Sequence, residues 1–153
     1  GLIDLLFIQT QKSMVNQIEI IFEVVIHATE DKEKILDSID ELFEIKEQEF
    51  VEEKLTGHFG NPILLLKARL SKKRAEYFIK RLISRISKLQ LNEFLQEIDT
   101  HFEDSSLFLR VGKQEIIRKS VNLQQNDAVK IKISIPVYKK DEIIKTYLEV
   151  LKS

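Results

Sequence analysis

The alternation of apolar and polar residues near the start of the chain limits the possible folds most strongly. The segment QIEIIFEVVIH, residues 17–27, carries an apolar side chain at every second position. These positions are Ile18, Ile20, Phe22, Val24 and Ile26. A period of two places all five side chains on one face, which predicts a β-strand with one buried face.

The segment that follows changes to the spacing of a helix. In ATEDKEKILDSIDELFE, residues 28–44, the apolar residues form one stripe that consists of Ile35, Leu36, Ile39, Leu42 and Phe43. We expect Thr29 to cap the N-terminus of this helix, because a hydroxyl there accepts a free backbone N–H and the following acids favour that end. A strand followed by an amphipathic helix predicts a helix packed on a sheet.

The remaining patterns complete the predicted order of elements. Further strands are predicted at residues 46–55, 63–70, 107–112 and 128–138, and further helices at 71–89, 92–98 and 141–151. Pro136 predicts that the last strand ends near it or lies at a sheet edge. The order indicates an α+β fold with a β-α-β-β-α core, further strands and a C-terminal helix. We expect a largely antiparallel sheet with helices packed on one face.

The size and composition of the chain favour one domain. It has 153 residues, 43% of them hydrophobic, and Met14 is its only methionine. We expect residues 1–13 to be an N-terminal extension and residues 14–153 to form the domain. No run of about 18 apolar residues predicts a membrane span. The absence of cysteine excludes disulfides and thiolate chemistry and favours a cytoplasmic protein.

A cluster of turn residues separates the second and third predicted strands. The stretch TGHFGNP, residues 56–62, contains Gly57, His58, Gly60, Asn61 and Pro62. Glycine permits positive φ angles and Asn-Pro fixes an extended exit, so a structural turn accounts for most of the cluster. It does not account for His58 or the phenylalanine beside it. We expect the turn to be structural first, with any ligand contact secondary.

Charge is distributed unevenly along the chain, although the net charge at pH 7 is only −1. Residues 19–53 contain 13 acidic and three basic residues, whereas residues 67–88 contain nine basic residues and one acidic residue. Residues 110–153 contain ten basic and five acidic residues. The chain is therefore dipolar, and its net charge does not argue against a polyanionic ligand.

The predicted helix at residues 71–89 concentrates the positive charge. At about 100° per residue, the basic residues fall opposite the apolar stripe, and lysines crowd the helix N-terminus, where cations are unfavourable unless an anion binds. The residues predicted to contact a phosphate-bearing polyanion here are Lys72, Lys73, Arg74, Tyr77, Lys80, Arg81, Arg85 and Lys88. A solvated helix face explains the same pattern without a ligand, but a single sign of charge favours phosphate binding.

The stretch LFLRVGK, residues 107–113, adds an aromatic residue to this interpretation. If Leu107 and Leu109 point to the core, then Phe108 and Arg110 point outward. An exposed aromatic ring beside an arginine can stack a base and hold a phosphate, so Phe108, Arg110 and Lys113 are also predicted to contact the ligand. Alternatively, Phe108 lies beneath a second layer of helices, and the alternation does not distinguish the two arrangements.

The sequence contains no pattern typical of an enzyme. His27, His58 and His101 are scattered along the chain, and no HExxH, GxSxG, P-loop or GxGxxG motif occurs. His101 lies in an acidic stretch that is more typical of a solvated loop than of a metal site. We expect no catalytic residues, no metal and no cofactor.

Three segments, in this order, resemble an archaeal RNA-binding family described as exosome-related subunits. They are ATEDKEKILDSIDELF, GHFGNPI and LFLRVGKQ, and the resemblance extends from about residue 18 to residue 137. It implies a compact α+β fold similar to double-stranded-RNA-binding or ribosomal-protein-like modules, RNA as the ligand and no catalysis. The signature positions that it implies are Thr29, Glu30, Asp31, Gly57, His58, Gly60, Asn61, Pro62, Arg110 and Lys113.

Two functional hypotheses follow. The first is a non-catalytic protein that binds structured or double-stranded RNA through phosphate contacts, as an accessory to an RNA-processing or ribosome-related assembly. The second is a protein-interaction or dimerisation module, in which the acidic region 19–53 of one copy meets the basic region 67–88 of a partner. The two hypotheses differ in whether the basic region 67–88 binds RNA or the acidic region of another protein molecule.

Overall fold

The computed structural model describes residues 17–136 and 142–152. Within these ranges six strands form one antiparallel sheet in the spatial order β2-β3-β1-β6-β5-β4. Their bounds are β1 (Glu19–His27), β2 (Phe50–Thr56), β3 (Pro62–Ser71), β4 (Phe102–Glu103), β5 (Ser106–Gly112) and β6 (Ala128–Ser134). The single-domain α+β fold with an antiparallel sheet is thus confirmed.

The helices lie on one face of this sheet. They are α1 (Lys32–Phe43), α2 (Lys72–Arg85), α3 (Lys88–Gln96), α4 (Lys113–Ile117) and α5 (Ile143–Lys152), with 3₁₀ turns at Glu47–Glu49 and Ile98–His101. Helix α2 packs on β1 and β3, α1 packs beside α2 and α4, and α5 contacts α2. No helix in the described ranges is long and apolar enough to cross a bilayer.

The core forms between the helices and the inner face of the sheet, as the alternation in the sequence predicts. Ile20, Phe22 and Val24 of β1 are completely buried, whereas the residues between them are only half-buried. The ring of Phe22 lies 5.8 Å from that of Phe43 in α1 and 6.0 Å from that of Phe78 in α2. These contacts fix both helices to the central strand, because each ring removes a large apolar area from water.

A buried tyrosine holds the C-terminal helix against the sheet. The hydroxyl of Tyr147 accepts a hydrogen bond from the Ile135 N–H at 3.0 Å. It also lies within donor distance of the carbonyl oxygens of Ser105 (2.7 Å) and Ile133 (2.9 Å). Burial raises the pKa of this phenol. The hydroxyl therefore satisfies backbone groups at the end of β6, which agrees with the prediction that the last strand ends near Pro136.

Two predicted helix boundaries are wrong. Asp31 rather than Thr29 caps α1, because the Asp31 carboxylate accepts the Lys34 N–H at 3.1 Å. The helix predicted at residues 71–89 ends at Arg85, because Ser87 caps a new helix by accepting the Gln90 N–H at 3.2 Å. A serine that offers its oxygen to a free N–H competes with continuation of the helix.

Several smaller differences concern segments without a strong periodic pattern. The second strand begins at Phe50 instead of residue 46, because residues 47–49 form a 3₁₀ turn. The helix predicted at 92–98 starts at Lys88, and α4 and the two-residue strand β4 were not predicted. The predicted extension at residues 1–13 and the last positions of the strand predicted at 128–138 lie outside the described residues.

Candidate nucleic-acid interface

The basic side of α2 consists of two stripes with different surroundings. Positions 74, 81 and 85 repeat at seven and four residues and therefore share one side of the helix, whereas positions 73, 77 and 80 share another. The first stripe contains the three arginines and the second contains Lys73, Tyr77 and Lys80. The structure separates them because Arg74 and Arg81 of the first stripe donate hydrogen bonds to the C-terminal end of α1.

Arg74 connects α2 with the 3₁₀ turn after α1. Its guanidinium donates to both carboxylate oxygens of Glu49 and, at 3.2 Å, to the carbonyl oxygen of Glu44. This bidentate pairing lowers the pKa of Glu49 below its usual range, although partial burial opposes the shift. Arg74 therefore bridges two parts of its own fold.

Arg81 completes the C-terminus of α1. Its Nε donates to the carbonyl oxygen of Leu42 at 2.8 Å, and a terminal nitrogen lies 3.4 Å from the carbonyl oxygen of Glu41. Both oxygens belong to the last turn of α1, where carbonyls lack partners within the helix. The same guanidinium contacts Tyr77, with 3.2 Å to its hydroxyl and 5.7 Å to its ring centroid. Tyr77 thus supports Arg81 rather than standing alone as a stacking platform.

The other predicted cations of α2 and α3 remain more available. Lys80 forms an exposed ion pair with Glu76 at 3.1 Å. Within residues 17–136 and 142–152, no ion pair joins an acid to Lys72, Lys73, Arg85 or Lys88. The backbone N–H of Lys72 donates to the carbonyl of Ile18 at 3.2 Å, so one of the N–H groups at the start of α2 already has a partner.

The acidic and basic regions of the chain meet inside one molecule. Arg74 pairs with Glu49, and Arg69 of β3 pairs with Glu19 of β1 at 2.6 Å. Two basic residues of region 67–88 are therefore paired with acids of region 19–53. This arrangement reduces the charge that either region offers to another molecule and weakens the argument for acid-to-base association between copies.

Lys113 is buried and fully engaged by the fold. Its side chain is only 4% exposed, and its Nζ donates to Glu30 at 2.7 Å and to the Val25 carbonyl at 2.8 Å, with Asp127 at 3.1 Å. Burial acts to raise the pKa of Glu30, but hydrogen bonds from His27 N–H and Lys113 outweigh it and lower this pKa. The pKa of Asp127 is also lowered, because hydrogen bonds from Gln114 and Lys113 outweigh the effect of burial. Lys113 therefore joins β1 to the segments that carry Glu30 and Asp127, and it does not face solvent.

Phe108 and Arg110 alternate with the buried residues of β5, so they point to the face of the sheet opposite the buried one. Phe108 pairs with Lys132 of β6, and Arg110 pairs with Lys130. The Lys130 ammonium lies 4.8 Å from the centroid of the Phe108 ring, and that of Lys132 lies 6.0 Å away. A half-buried aromatic ring is thus surrounded by three cations, an arrangement that suits a stacked base with a nearby phosphate.

Lys130 and Lys132 were not among the residues that the sequence predicted for this site. The period-two pattern of the last strand already placed both of them opposite its apolar residues. It did not show that β6 lies beside β5, because pairing between strands about 20 residues apart depends on the tertiary fold. The neighbourhood of Phe108 could therefore be found only from the structure.

A cleft of about 580 Å³ opens beside Phe108. Its lining includes Phe108, Arg110 and Lys130 of the sheet, together with Gln90 of α3 and Gln125 of the loop before β6. The carboxylates of Glu93, Glu97 and Glu103 also contribute to the wall. Its size suits a nucleotide-sized group. The lining therefore combines cations, which suit a phosphate, with amides and carboxylates, which can bond to a base edge.

The turn between β2 and β3 lies three strands away from β5. Gly57 N–H donates to the Asn61 carbonyl at 2.6 Å, and Gly60, with a φ of 79°, donates to the Gly57 carbonyl at 3.0 Å. The turn presents Phe59, which is 91% exposed, with the His58 ring 5.0 Å from it. Pro62 begins β3. The described contacts bring none of these residues to the cleft, so the turn and the cleft are separate features.

The histidines form no common site in the described part of the chain. His101 stacks on Phe94 with ring centroids 4.4 Å apart, and His27 is exposed at the end of β1. No group of three or more His, Asp or Glu side chains that could hold a metal ion occurs among residues 17–136 and 142–152. The structure thus offers no arrangement there that identifies a metal-dependent reaction.

Comparisons with known proteins agree on one family. A family model described as RNA binding matches residues 19–135. A Pyrococcus abyssi protein named RNA-binding protein PAB1135 is 30% identical over 135 residues, which cover 82% of this chain and 88% of the relative. The DUF54 protein SSO0741 from Sulfolobus solfataricus, whose structure is solved, is 30% identical in sequence to this chain. The two structures superpose with a TM-score of 0.68 over 86% of this chain and 97% of that one. The DUF54 protein Mth689 from Methanothermobacter thermautotrophicus shares the fold, with a TM-score of 0.72 at 23% identity over 87% of this chain and 96% of that one.

Proposed function

We propose, from the premise that this chain belongs to the RNA-binding family, that it binds structured RNA at the cleft beside Phe108 and has no catalytic role. The observation that carries this proposal is the position of the Phe108 ring, which has Lys130 Nζ 4.8 Å from its centroid and Arg110 at the adjacent outward position of the same strand. An aromatic ring among cations offers a stacking surface for a base and charge for a phosphate.

The ligand is a structured RNA with at least one unpaired nucleotide. Bases within an A-form duplex are stacked on each other, so they are not free to stack on a protein ring. A loop or bulge nucleotide can leave the stack and enter a cleft of about 580 Å³. The paired region of the same RNA then supplies phosphates to cations outside the cleft.

These outer phosphate contacts come from predicted cations that form no ion pair with an acid among the described residues. Arg85 and Lys88 flank the start of α3, whose Gln90 lines the cleft. Lys72 and Lys73 lie at the other end of α2, about 20 Å away at 1.5 Å per residue. Arg74 and Arg81 are engaged within the fold and Lys113 is buried, so these three contribute through the fold and not by direct contact.

We infer a cellular role from the sequence resemblance. The chain acts in the cytoplasm as an accessory to an RNA-processing, exosome-like or ribosome-related assembly, which it reaches through its RNA. Co-purification that disappears after ribonuclease treatment is expected. Co-purification that resists ribonuclease would indicate a direct protein contact instead.

Fluorescence anisotropy with a labelled RNA hairpin tests the binding site. We expect Phe108→Ala to weaken binding of a hairpin with an unpaired loop about 10-fold, since stacking contributes about 1–3 kcal/mol per base. A fully paired duplex of the same length should respond much less, because it offers no free base.

A matched pair of double variants separates local contacts from general charge. Arg110→Gln with Lys130→Gln removes two positive charges at the cleft, and Lys34→Gln with Lys145→Gln removes two exposed charges elsewhere. The first variant should weaken binding more. It should also reduce the slope of log affinity against log salt concentration by roughly one to two units. Equal losses in both variants would show that the cleft is not the site.

A further inference from the structure

We propose that β2 pairs with β2 of a second copy of this chain and so continues the sheet across a dimer. Among the strands that the structure describes β2 is an outer strand, and six of its seven residues are exposed. Val51 is 74% exposed and Leu55 is 41% exposed on the same face. A straight outer strand with exposed apolar residues is a ready template for another strand. This inference concerns a different edge of the molecule and is independent of RNA binding at the cleft.

The direction of the backbone groups shows which residues would bond across the dimer. Gly57 N–H donates to the Asn61 carbonyl, so Gly57 turns its backbone groups toward β3. Backbone groups alternate in direction along a strand, so the odd-numbered residues of β2 bond to β3. The N–H and C=O groups of Glu52 and Lys54 therefore point away from the sheet, toward the position of a second copy.

The pattern of side chains selects one register. A two-fold axis perpendicular to the sheet keeps the helices of both copies on the same side, and it can pass through Glu52, Glu53 or Lys54 near the middle of β2. An axis at Glu52 would place Glu52 opposite Glu52 of the second copy and Val51 opposite its Glu53. An axis at Lys54 would place the two Lys54 residues opposite each other and Leu55 opposite Glu53. Both registers therefore pair like charges and also pair an apolar residue with a glutamate. An axis at Glu53 instead places Glu52 opposite Lys54 of the second copy twice and Val51 opposite Leu55 of the second copy twice.

The chosen register has one unfavourable contact, which makes it recognisable. Glu53 lies opposite Glu53 of the second copy, and like charges in opposite positions weaken a strand pair. The two Glu–Lys pairs and the two apolar pairs offset this repulsion. Charges can also protect an outer strand from association, but here their order along the strand is self-complementary.

Cysteine cross-linking tests the register directly, because the chain contains no cysteine of its own. In Glu53→Cys the two sulfurs face each other at the axis, where opposite Cα atoms in a non-hydrogen-bonded pair lie about 4.5 Å apart, within the range of a disulfide. We expect this variant to form a covalent dimer under mild oxidation. Leu55→Cys is the matched control, because its two copies would lie about 13 Å apart along the strands at 3.3 Å per residue.

Three outcomes of this experiment decide the proposal. Rapid cross-linking of Glu53→Cys with little reaction of Leu55→Cys supports it. Equal reaction of both variants, or faster reaction of Leu55→Cys, overturns the register. A wild-type protein that sediments as a monomer at all concentrations up to the submillimolar range, with no cross-linking of either variant, overturns the dimer and shows that the charges of β2 protect its edge.

Charge exchange provides a second measurement on the folded protein. Glu52→Lys places two lysines opposite each other and should weaken the dimer several-fold in sedimentation equilibrium. Adding Lys54→Glu restores opposite charges between the copies but does not restore the ion pair of 3.4 Å between Lys32 and Glu52 within one copy. Recovery of the dimer in the double variant supports the pairing, and failure to recover in a protein with an unchanged circular dichroism spectrum contradicts it.

Discussion

Arg81 donates a hydrogen bond of 2.8 Å from its Nε to the carbonyl oxygen of Leu42, and so a residue of α2 completes the last turn of α1. A helix C-terminus carries unpaired carbonyl groups and a partial negative charge, and a planar guanidinium suits both. The same side of α2 places Arg74 against Glu49. These contacts identify Arg74 and Arg81, but not Arg85, as part of the fold.

The first prediction compares Arg81 with a lysine on the other stripe. Arg81→Gln should lower the free energy of unfolding by about 1–2 kcal/mol, because it removes charge-assisted hydrogen bonds to two carbonyls. Lys73→Gln should change it by less than about 0.5 kcal/mol, as expected for an exposed side chain without such partners. Urea denaturation of both variants measures the difference. Equal stability of the two proteins would mean that the contacts of Arg81 do not stabilise the fold.

The second prediction concerns the buried lysine. Lys113→Met leaves Glu30 and Asp127 without their shared cation and should cost about 3 kcal/mol, the lower end of the range for a broken buried pair, since Asp127 is partly exposed. Denaturation near pH 7 gives this value. A cost below about 0.5 kcal/mol, the level of an ordinary surface substitution, would contradict the structural role assigned to Lys113.

The third prediction gives the pH dependence of the same cluster. The pKa values of Glu30 and Asp127 are lowered from their ordinary values of 4.5 and 3.8, so folding favours the charged forms. Their contribution to stability is present above those values and is lost as the pH falls through the lowered pKa values of the folded protein. The stability gap between wild type and Lys113→Met should therefore narrow from pH 6 toward pH 3. A gap that widens on acidification would contradict the pairing.

The fourth prediction concerns the two glycines of the turn. Gly60 has a φ of 79°, so Gly60→Ala should cost about 1 kcal/mol. At Gly57 an added Cβ would meet the Asn61 side chain, 2.5 Å from its Oδ1, and no positive φ is required. Because the Asn61 side chain can rotate away, Gly57→Ala should cost less. Thermal unfolding of the two variants provides the comparison, and a reversed order would contradict it.

The sequence predicted the fold class and most of the strands because apolar periodicity reports directly on burial. The outward direction of Phe108 and Arg110 also follows from alternation within one strand, but alternation did not predict what covers that side. The separation of Arg74 and Arg81 from Lys73 could not be predicted, because it depends on where α1 packs and not on α2 alone. The burial of Lys113 has the same origin, since Glu30 and Asp127 reach it from distant parts of the chain.

The placement of RNA against β5 is the central claim, and photo-cross-linking tests it most directly. A hairpin RNA with 4-thiouridine at one unpaired loop position would be irradiated with the wild-type protein, and the modified peptides would be identified by mass spectrometry. Cross-links are expected within Ser106–Gly112, where Phe108 faces the cleft, and they should disappear when unlabelled hairpin competes. Cross-links confined to α2, at Lys72–Arg85, would contradict this placement and return the RNA site to the basic helix.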